Sequence, residues 1–344
     1  MSTPTIPNGA AYMAATLYTG NGGTLTVNNG VAGQSFQPDM LWVKSRSAVS
    51  DHALQDSVRG FSLALYPDLT VAEISAGYAS ANSNGFNVAG GTVNTNGATY
   101  VGWNWKAGGT AVSNTSGTIT SSVSANTTSG FSVITYTGTG ANATVGHGLG
   151  VAPQMVIVKT RSLSGENWNC WHTSLGGNTY RILLNTTGAV DTGSPTVWSS
   201  GGINPTSTTF TVGTANATNG SAATYVAYCW APIAGFSQFG SYTGNGSTDG
   251  PFVYLGFRPR FVMLKSTTNA YNWNIYDTSR DIYNVAQYDL LPNSSASEAV
   301  INPSLDFLSN GFKIRASSIG LNNSGDNFIY MAFAENPFKY ANAR

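Results

Sequence analysis

The tripeptide Tyr-Thr-Gly occurs at Tyr18-Thr19-Gly20, Tyr136-Thr137-Gly138 and Tyr242-Thr243-Gly244, and each time it opens the same longer pattern. A Gly/Asn/Thr-rich stretch follows. Then comes a proline with a lysine six residues later across an apolar run: Pro38 to Lys44, Pro153 to Lys159 and Pro259 to Lys265. The copies close on Tyr100-Val101-Gly102-Trp103, Tyr225-Val226-Ala227-Tyr228 and Tyr330-Met331-Ala332-Phe333, each aromatic, apolar, small, aromatic. Their starts lie 118 and 106 residues apart, enough for each copy to bury a core of its own and too long for a solenoid repeat. The 344 residues are therefore expected to form three duplicated domains, 1–107, 108–233 and 234–344.

The apolar runs are short, rich in β-branched and aromatic residues, and bounded by proline and lysine. Met40 to Val43, Met155 to Val158 and Phe261 to Leu264 read as equivalent central strands buried on both faces, each with its lysine emerging at a sheet end. Thr99 to Trp105 alternates cleanly as a strand. Asn84-Gly85 and Asn310-Gly311 mark hairpin turns into alternating segments. Thr118 to Val123 is expected as an edge strand, and Asp51 to Ser57 as one helical turn. Asn167 to Ser174 matches Asn272 to Ser279, whereas the first copy keeps only Asp56-Ser57 and Arg59 there. Many short strands with Gly/Asn turns and no helical period predict an all-β chain of three tandem antiparallel β-sandwich, jelly-roll-like, domains.

Charged residues make up only 9% of the chain, against about 25% in ordinary soluble proteins. Hydrophobic residues still reach 41%, which excludes the composition of a disordered chain. Asn, Thr, Ser and Gly must cover the solvated faces. The 15 basic and 15 acidic residues cancel, and no Lys/Arg run occurs, which argues against a nucleic-acid partner. Weak self-repulsion instead favours dense packing into an assembly. Met1-Ser2-Thr3-Pro4-Thr5 carries no basic n-region and no stretch is long and apolar enough to span a bilayer, so neither a secretory leader nor membrane insertion is expected. Cys170 and Cys229 read as two buried thiols, although the sequence leaves a disulfide between them open.

Glycoside hydrolysis needs two carboxylates about one bond. The candidates Glu166, Asp191, Asp277 and Asp281 form no pair that recurs among the copies, so an enzyme is not expected. His52, His147 and His172 lack metal-ligand spacing. Gly146-His147-Gly148-Leu149-Gly150 precedes no helix and is read as a turn rather than a phosphate loop, and Gly-x-Ser-x-Gly is absent. No catalytic residue, metal or cofactor is assigned. The remaining candidates are aromatic: flat rings suit sugar faces and amides suit sugar hydroxyls. Trp168, Trp171 and Trp273, with Asn167 and Asn272 beside them, are the possible glycan-binding residues and would then lie at the surface. Core packing is the competing reading for these tryptophans, and the expected state of Trp42, Trp103 and Trp230.

Taken together, Tyr18-Thr19-Gly20-Asn21-Gly22, Phe36 to Lys44, Asn96 to Trp103 and Tyr136 to Gly150 resemble a family of tailed-phage virion proteins, common in marine and cyanobacterial phages and described as tail-fibre-like or structural. The resemblance covers nearly the whole chain, less closely in the third copy. It implies a non-enzymatic virion component, assembled in the host cytoplasm beside other capsid or tail proteins. A homo-oligomer, a trimer above all, would suit fibre and capsid-threefold positions. A stack of three sandwiches also suits a capsid decoration protein, a head fibre or a tail adaptor. Binding of host surface glycan and depolymerisation of it are the remaining alternatives.

Overall fold

The structure, a computed structural model, describes Ile6 and residues 8–334 apart from 32, 194 and 318. The leader reading of residues 1–5 and the last ten residues of the third copy lie outside the described residues. Among the described residues the chain is all-β, with antiparallel sheets, two four-residue α-helices and two short 3-10 turns.

Each repeat builds one principal sheet in the same order. In the first unit the strands Met13–Thr19, Thr99–Trp105, Met40–Ser45 and Ala53–Asp56 lie side by side. The third repeats this with Ser237–Thr243, Asn327–Ala334, Pro259–Ser266 and Asn274–Asp277. The second has Phe131–Thr137, Thr224–Trp230, Met155–Thr160 and Asn169–His172, widened to seven strands by Val112–Asn114 and Ser121–Asn126 on one side and Ile182–Leu183 on the other. A second sheet accompanies each, of three strands in the first unit, two in the second and four in the third. The two Asn-Gly hairpins form as expected, with Asn82 opposite Gly85 and Leu308 opposite Gly311. At Gly85 φ is +147°, a backbone setting that glycine adopts without a Cβ penalty.

Stacked ring pairs fix the internal alignment. Tyr18 lies against Tyr100 at 5.0 Å, Tyr136 against Tyr225 at 5.1 Å, and Tyr242 against Phe328 at 5.0 Å. The third copy therefore closes on Phe328-Ile329-Tyr330-Met331, two residues earlier than the Tyr330 to Phe333 motif. That shift by one full pleat preserves which side chains face which way, so alternation alone does not reveal it.

The continuous apolar runs arise because each principal sheet is buried twice. In the first unit Leu41 and Val43 point outward to Phe86, Val88 and Tyr100 beneath the small sheet, while Met40, Trp42, Trp103 and Trp105 point inward to a second core. That second core runs without a break through all three units. Equivalent closing-strand aromatics converge there, with the Trp105 ring 6.3 Å from Trp230 and 5.8 Å from Phe333.

Three expectations are corrected. Residues Ala53–Asp56 are a strand and not part of a helical turn, because they extend the principal sheet beside Met40–Val43 and are wholly buried. Ser121–Asn126 is an inner strand, with Val112–Asn114 taking the edge. The three lysines do not emerge at all: Lys44, Lys159 and Lys265 are fully buried.

Ile157 and Leu264 sit inside the shared core. Truncating either to alanine should cost about 2 to 5 kcal/mol. Chemical denaturation is the check; a variant within about 0.5 kcal/mol of wild type, the range of ordinary surface substitutions, would contradict the assignment.

Candidate functional site

Three fully buried lysines, Lys44, Lys159 and Lys265, lie at the seams between repeats. Each ammonium sits between a carbonyl of its own unit and one of a neighbour. Lys44 Nζ donates to Ser50 O at 2.6 Å and Ser295 O at 2.8 Å. Lys159 donates to Glu166 O at 2.8 Å and Thr70 O at 3.2 Å. Lys265 donates to Tyr271 O at 2.6 Å and Thr187 O at 2.9 Å. Burial pushes all three ammonium groups down to about 8, which still leaves them cationic at neutral pH.

A ring N–H follows the same route. Trp168 Nε1 donates to Tyr66 O and Leu69 O at 2.9 and 3.2 Å, and Trp273 Nε1 to Leu183 O at 2.9 Å. The first unit uses His52 in that place. Its Nδ1 accepts from Trp42 Nε1 at 2.8 Å, so Nε2 carries the proton and faces Leu291 O at 2.9 Å and Ser294 O at 3.2 Å. Burial holds this imidazole down to about 3, hence neutral. Backbone bonds complete the joint, from Glu73 N to Arg161 O, Val190 N to Thr267 O and Glu298 N to Arg46 O.

These contacts define a plug and a socket in every repeat. The plug is the lysine, the His or Trp and the residue two after the lysine. The socket is an eight-residue loop: Tyr66 to Glu73, Leu183 to Val190, or Leu291 to Glu298. The second unit plugs into the first, the third into the second, and the first into the third. Such a head-to-tail interface closes into a ring when its rotation allows, and here the ring closes within one chain.

Two seams carry an additional ion network. Arg59 binds Asp56 at 2.6 Å and Glu73 at 2.7 Å, and the incoming Arg161 binds Glu73 at 2.8 Å. Arg280 binds Asp277 at 2.7 Å and Glu298 at 3.2 Å, and the incoming Arg46 binds Glu298 at 2.7 Å. The central carboxylates also accept from across the seam, Asp56 from Tyr228 Oη at 2.7 Å and Asp277 from Trp103 Nε1 at 3.0 Å. At the third seam all four charges are exchanged together, for His172, Leu175, Val190 and Thr267. His172 Nε2 then faces the Tyr330 carbonyl at 3.0 Å, with Nδ1 accepting from Ser174 N, so a donor replaces the acceptor. Changing one member alone would strand a buried charge, which costs several kcal/mol.

The expected glycan residues are placed by this arrangement. Trp168 and Trp273 are buried plugs with no open ring face, in keeping with the core-packing reading and without the surface position that glycan binding would require. Asn167 and Asn272 accept from Asn185 Nδ2 and Asn293 Nδ2, both at 2.8 Å, and so brace the plug against the socket of the same unit. Trp171 is also buried, at the wall of a groove of about 410 Å³ with Gln154, Thr173, Asn178, Asn204 and Thr206, and its indole N–H has no hydrogen-bond partner. Trp42, Trp103 and Trp230 are core residues, as expected.

The four candidate acids do not converge. Asp277 lies in the ion network, Asp191 pairs with Arg181, Asp281 accepts from the Gln287 and Tyr288 amides of its own loop, and Glu166 stands beside Lys159, whose ammonium its backbone carbonyl accepts. Among the described residues no cluster of His, Cys, Asp or Glu could hold a metal ion, and no helix is long and apolar enough to cross a membrane. Cys170 and Cys229 are free and buried. The recurrent socket loop is the signal that sequence reasoning missed; the correspondence of Asp56 and Arg59 with the third copy is visible there, but not the ion pairs that Asp56/Arg59 and Asp277/Arg280 make at the seams.

Residues 8–337 match the family described as a domain of unknown function, DUF7483, in one span that runs through all three repeats. No curated protein matches the chain.

Replacing Trp273 by phenylalanine should leave Leu183 O unpaired and cost about 1 to 3 kcal/mol. Denaturant titration reads this directly. A neutral substitution would mean that the plug is not a seam contact.

Proposed function

The chain belongs to the DUF7483 family over nearly its whole length, and from the resemblance of its repeated motifs to tailed-phage virion proteins we propose that it is a non-enzymatic structural component of such a virion, built into the tail or its fibres. The observation that supports the reading is where the polar chemistry has gone. The lysines, the Asp-Arg-Glu networks and the plug tryptophans all hold repeat to repeat, and the candidate acids Asp277 and Asp281 bind their own network or loop. An enzyme site would instead need acid and base groups converging on a cleft. A low-charge surface of Asn, Thr, Ser and Gly suits a permanent packed assembly.

The internal ring bears on the trimer expected from sequence. Three repeats in one chain already supply the arrangement that three copies would otherwise make, so a single chain can sit on a threefold position of a partner. Attachment to the capsid surface is the same structural role at another place in the particle.

Immunogold labelling and protein mass spectrometry of purified virions test the proposal. A fixed copy number, labelled on the tail, is expected; labelling on the head would move the role to capsid decoration. Absence from intact particles would contradict it. Host capsular polysaccharide incubated with the protein should keep its chain length, and shortening would overturn the non-enzymatic reading.

A further inference from the structure

The repeats act as internal comparisons for one another, and they differ at the brace between plug and socket. In the second unit Asn185 Oδ1 accepts from Trp168 N at 3.0 Å while its amide donates to Asn167 Oδ1 at 2.8 Å. In the third, Asn293 does the same with Trp273 N at 2.9 Å and Asn272 at 2.8 Å. In the first unit the same two positions are carboxylic acids. Asp68 Oδ1 accepts from His52 N at 3.1 Å, in the place of the asparagine carbonyl. Asp68 Oδ2 takes the place of the donating amide nitrogen, and no N–H donor reaches that buried oxygen. Within side-chain hydrogen-bonding reach of Asp68 stands Asp51, in the place of Asn167 and Asn272. An acceptor facing an acceptor reproduces the brace only when one carboxyl carries a proton.

We propose that Asp51 and Asp68 hold one proton between them in the closed chain, and that its loss loosens both seams of the first unit. Asp68 belongs to the socket loop whose carbonyls of Tyr66, Leu69 and Thr70 receive Trp168, Lys159 and Gly165 N from the second unit. Asp51 lies between Ser50, whose N–H donates to Ser295 O, and His52, which meets Leu291 O in the third unit. The brace thus joins the two segments through which the first unit holds its neighbours. With the proton in place, Asp68 donates to Asp51 as asparagine does elsewhere. Without it, two carboxylates repel across a desolvated gap. The second and third units brace with amides, which do not titrate, so the device belongs to the first unit alone.

The groups facing the pair are Lys44, His52 and Tyr66, with Tyr78 behind Tyr66 at 3.3 Å. Lys44 attracts both carboxylates but is already held by two carbonyls. His52 is neutral and Tyr66 donates no charge at neutral pH. Burial first, and Asp51 second, raise the Asp68 carboxyl to about 7. An unfolded aspartate releases its proton near 4. Between these values the folded chain binds the extra proton, so the pair favours folding at low pH and that contribution is lost as pH rises through the window toward 7.

Thermal unfolding of the full chain from pH 4 to 8.5, for wild type, Asp68→Asn and Asp51→Asn, tests this. Asp68→Asn installs the brace of the other two units, so its melting temperature should exceed wild type at pH 8 by on the order of 5 °C. The gap should close below pH 5. Asp51→Asn supplies the missing donor from the other side and should behave alike, which keeps the test usable if one variant folds poorly. Hydrogen exchange of the Ser50 and Gly165 amides, corrected for intrinsic rate, should speed up above pH 7 in wild type only. Parallel pH curves for all three proteins, or seam amides equally protected across the range in wild type and variants, would overturn the proposal.

Discussion

A buried ammonium shared between carbonyls of two repeats is the joint on which this structure depends. An isolated charge removed from water is costly, and hydrogen bonds to the buried ion offset that cost. Each lysine places two of its three N–H donors, one on a carbonyl from its own loop and one on a carbonyl of the neighbouring socket. Neither unit supplies both, so the lysine makes both bonds only in the assembled ring. A repeat separated from its neighbours would leave the ammonium short of an acceptor and the socket carbonyls short of a donor. Hydrogen bonds to a charged group are worth about 1.5 to 3 kcal/mol each, enough to make the joint specific as well as stable.

The second consequence is the two-faced sheet. A strand pinned at its end by the lysine presents alternate side chains to the small outer sheet and to the common centre. Leu41 serves the first and Trp42 the second. The aromatic residues that look like candidates for ligand binding are largely those needed to fill this centre. Trp105 meets Phe261 and Phe333 edge to face there, at 5.5 and 5.8 Å, the arrangement that ring quadrupoles favour. Scarce charge follows the same logic. Arg59, Glu73, Arg280 and Glu298 serve the seams, where geometry fixes their partners, and little charge is left for the surface.

Much of this was legible in sequence. The repeated Pro-to-Lys run gave three equivalent strands, and its unbroken apolar character implied burial on both faces. The turn at Asn84-Gly85 followed from backbone preference alone. What stayed hidden is what depends on a neighbour in space. Lys44 after an apolar run reads as the end of a strand emerging into water, because nothing local announces Ser295 on the far side. Trp168 beside asparagines reads as a sugar platform for the same reason: its polar surroundings brace a loop, and its ring is sealed by another repeat. Ala53–Asp56 looked helical because its strand pairing is made with residues of the preceding run. The Phe328 register was lost because a shift of two residues leaves the strand pattern unchanged.

The central claim is that three repeats close into one body through equivalent seams. Small-angle X-ray scattering of the isolated chain tests it most directly. A closed body of 344 residues should give a radius of gyration of roughly 20 Å. Three separately folded units in a row, each of about 13 Å, would instead give roughly 30 Å. A value near the smaller figure, unchanged on dilution, is the result that the ring predicts; a value near the larger one would contradict it.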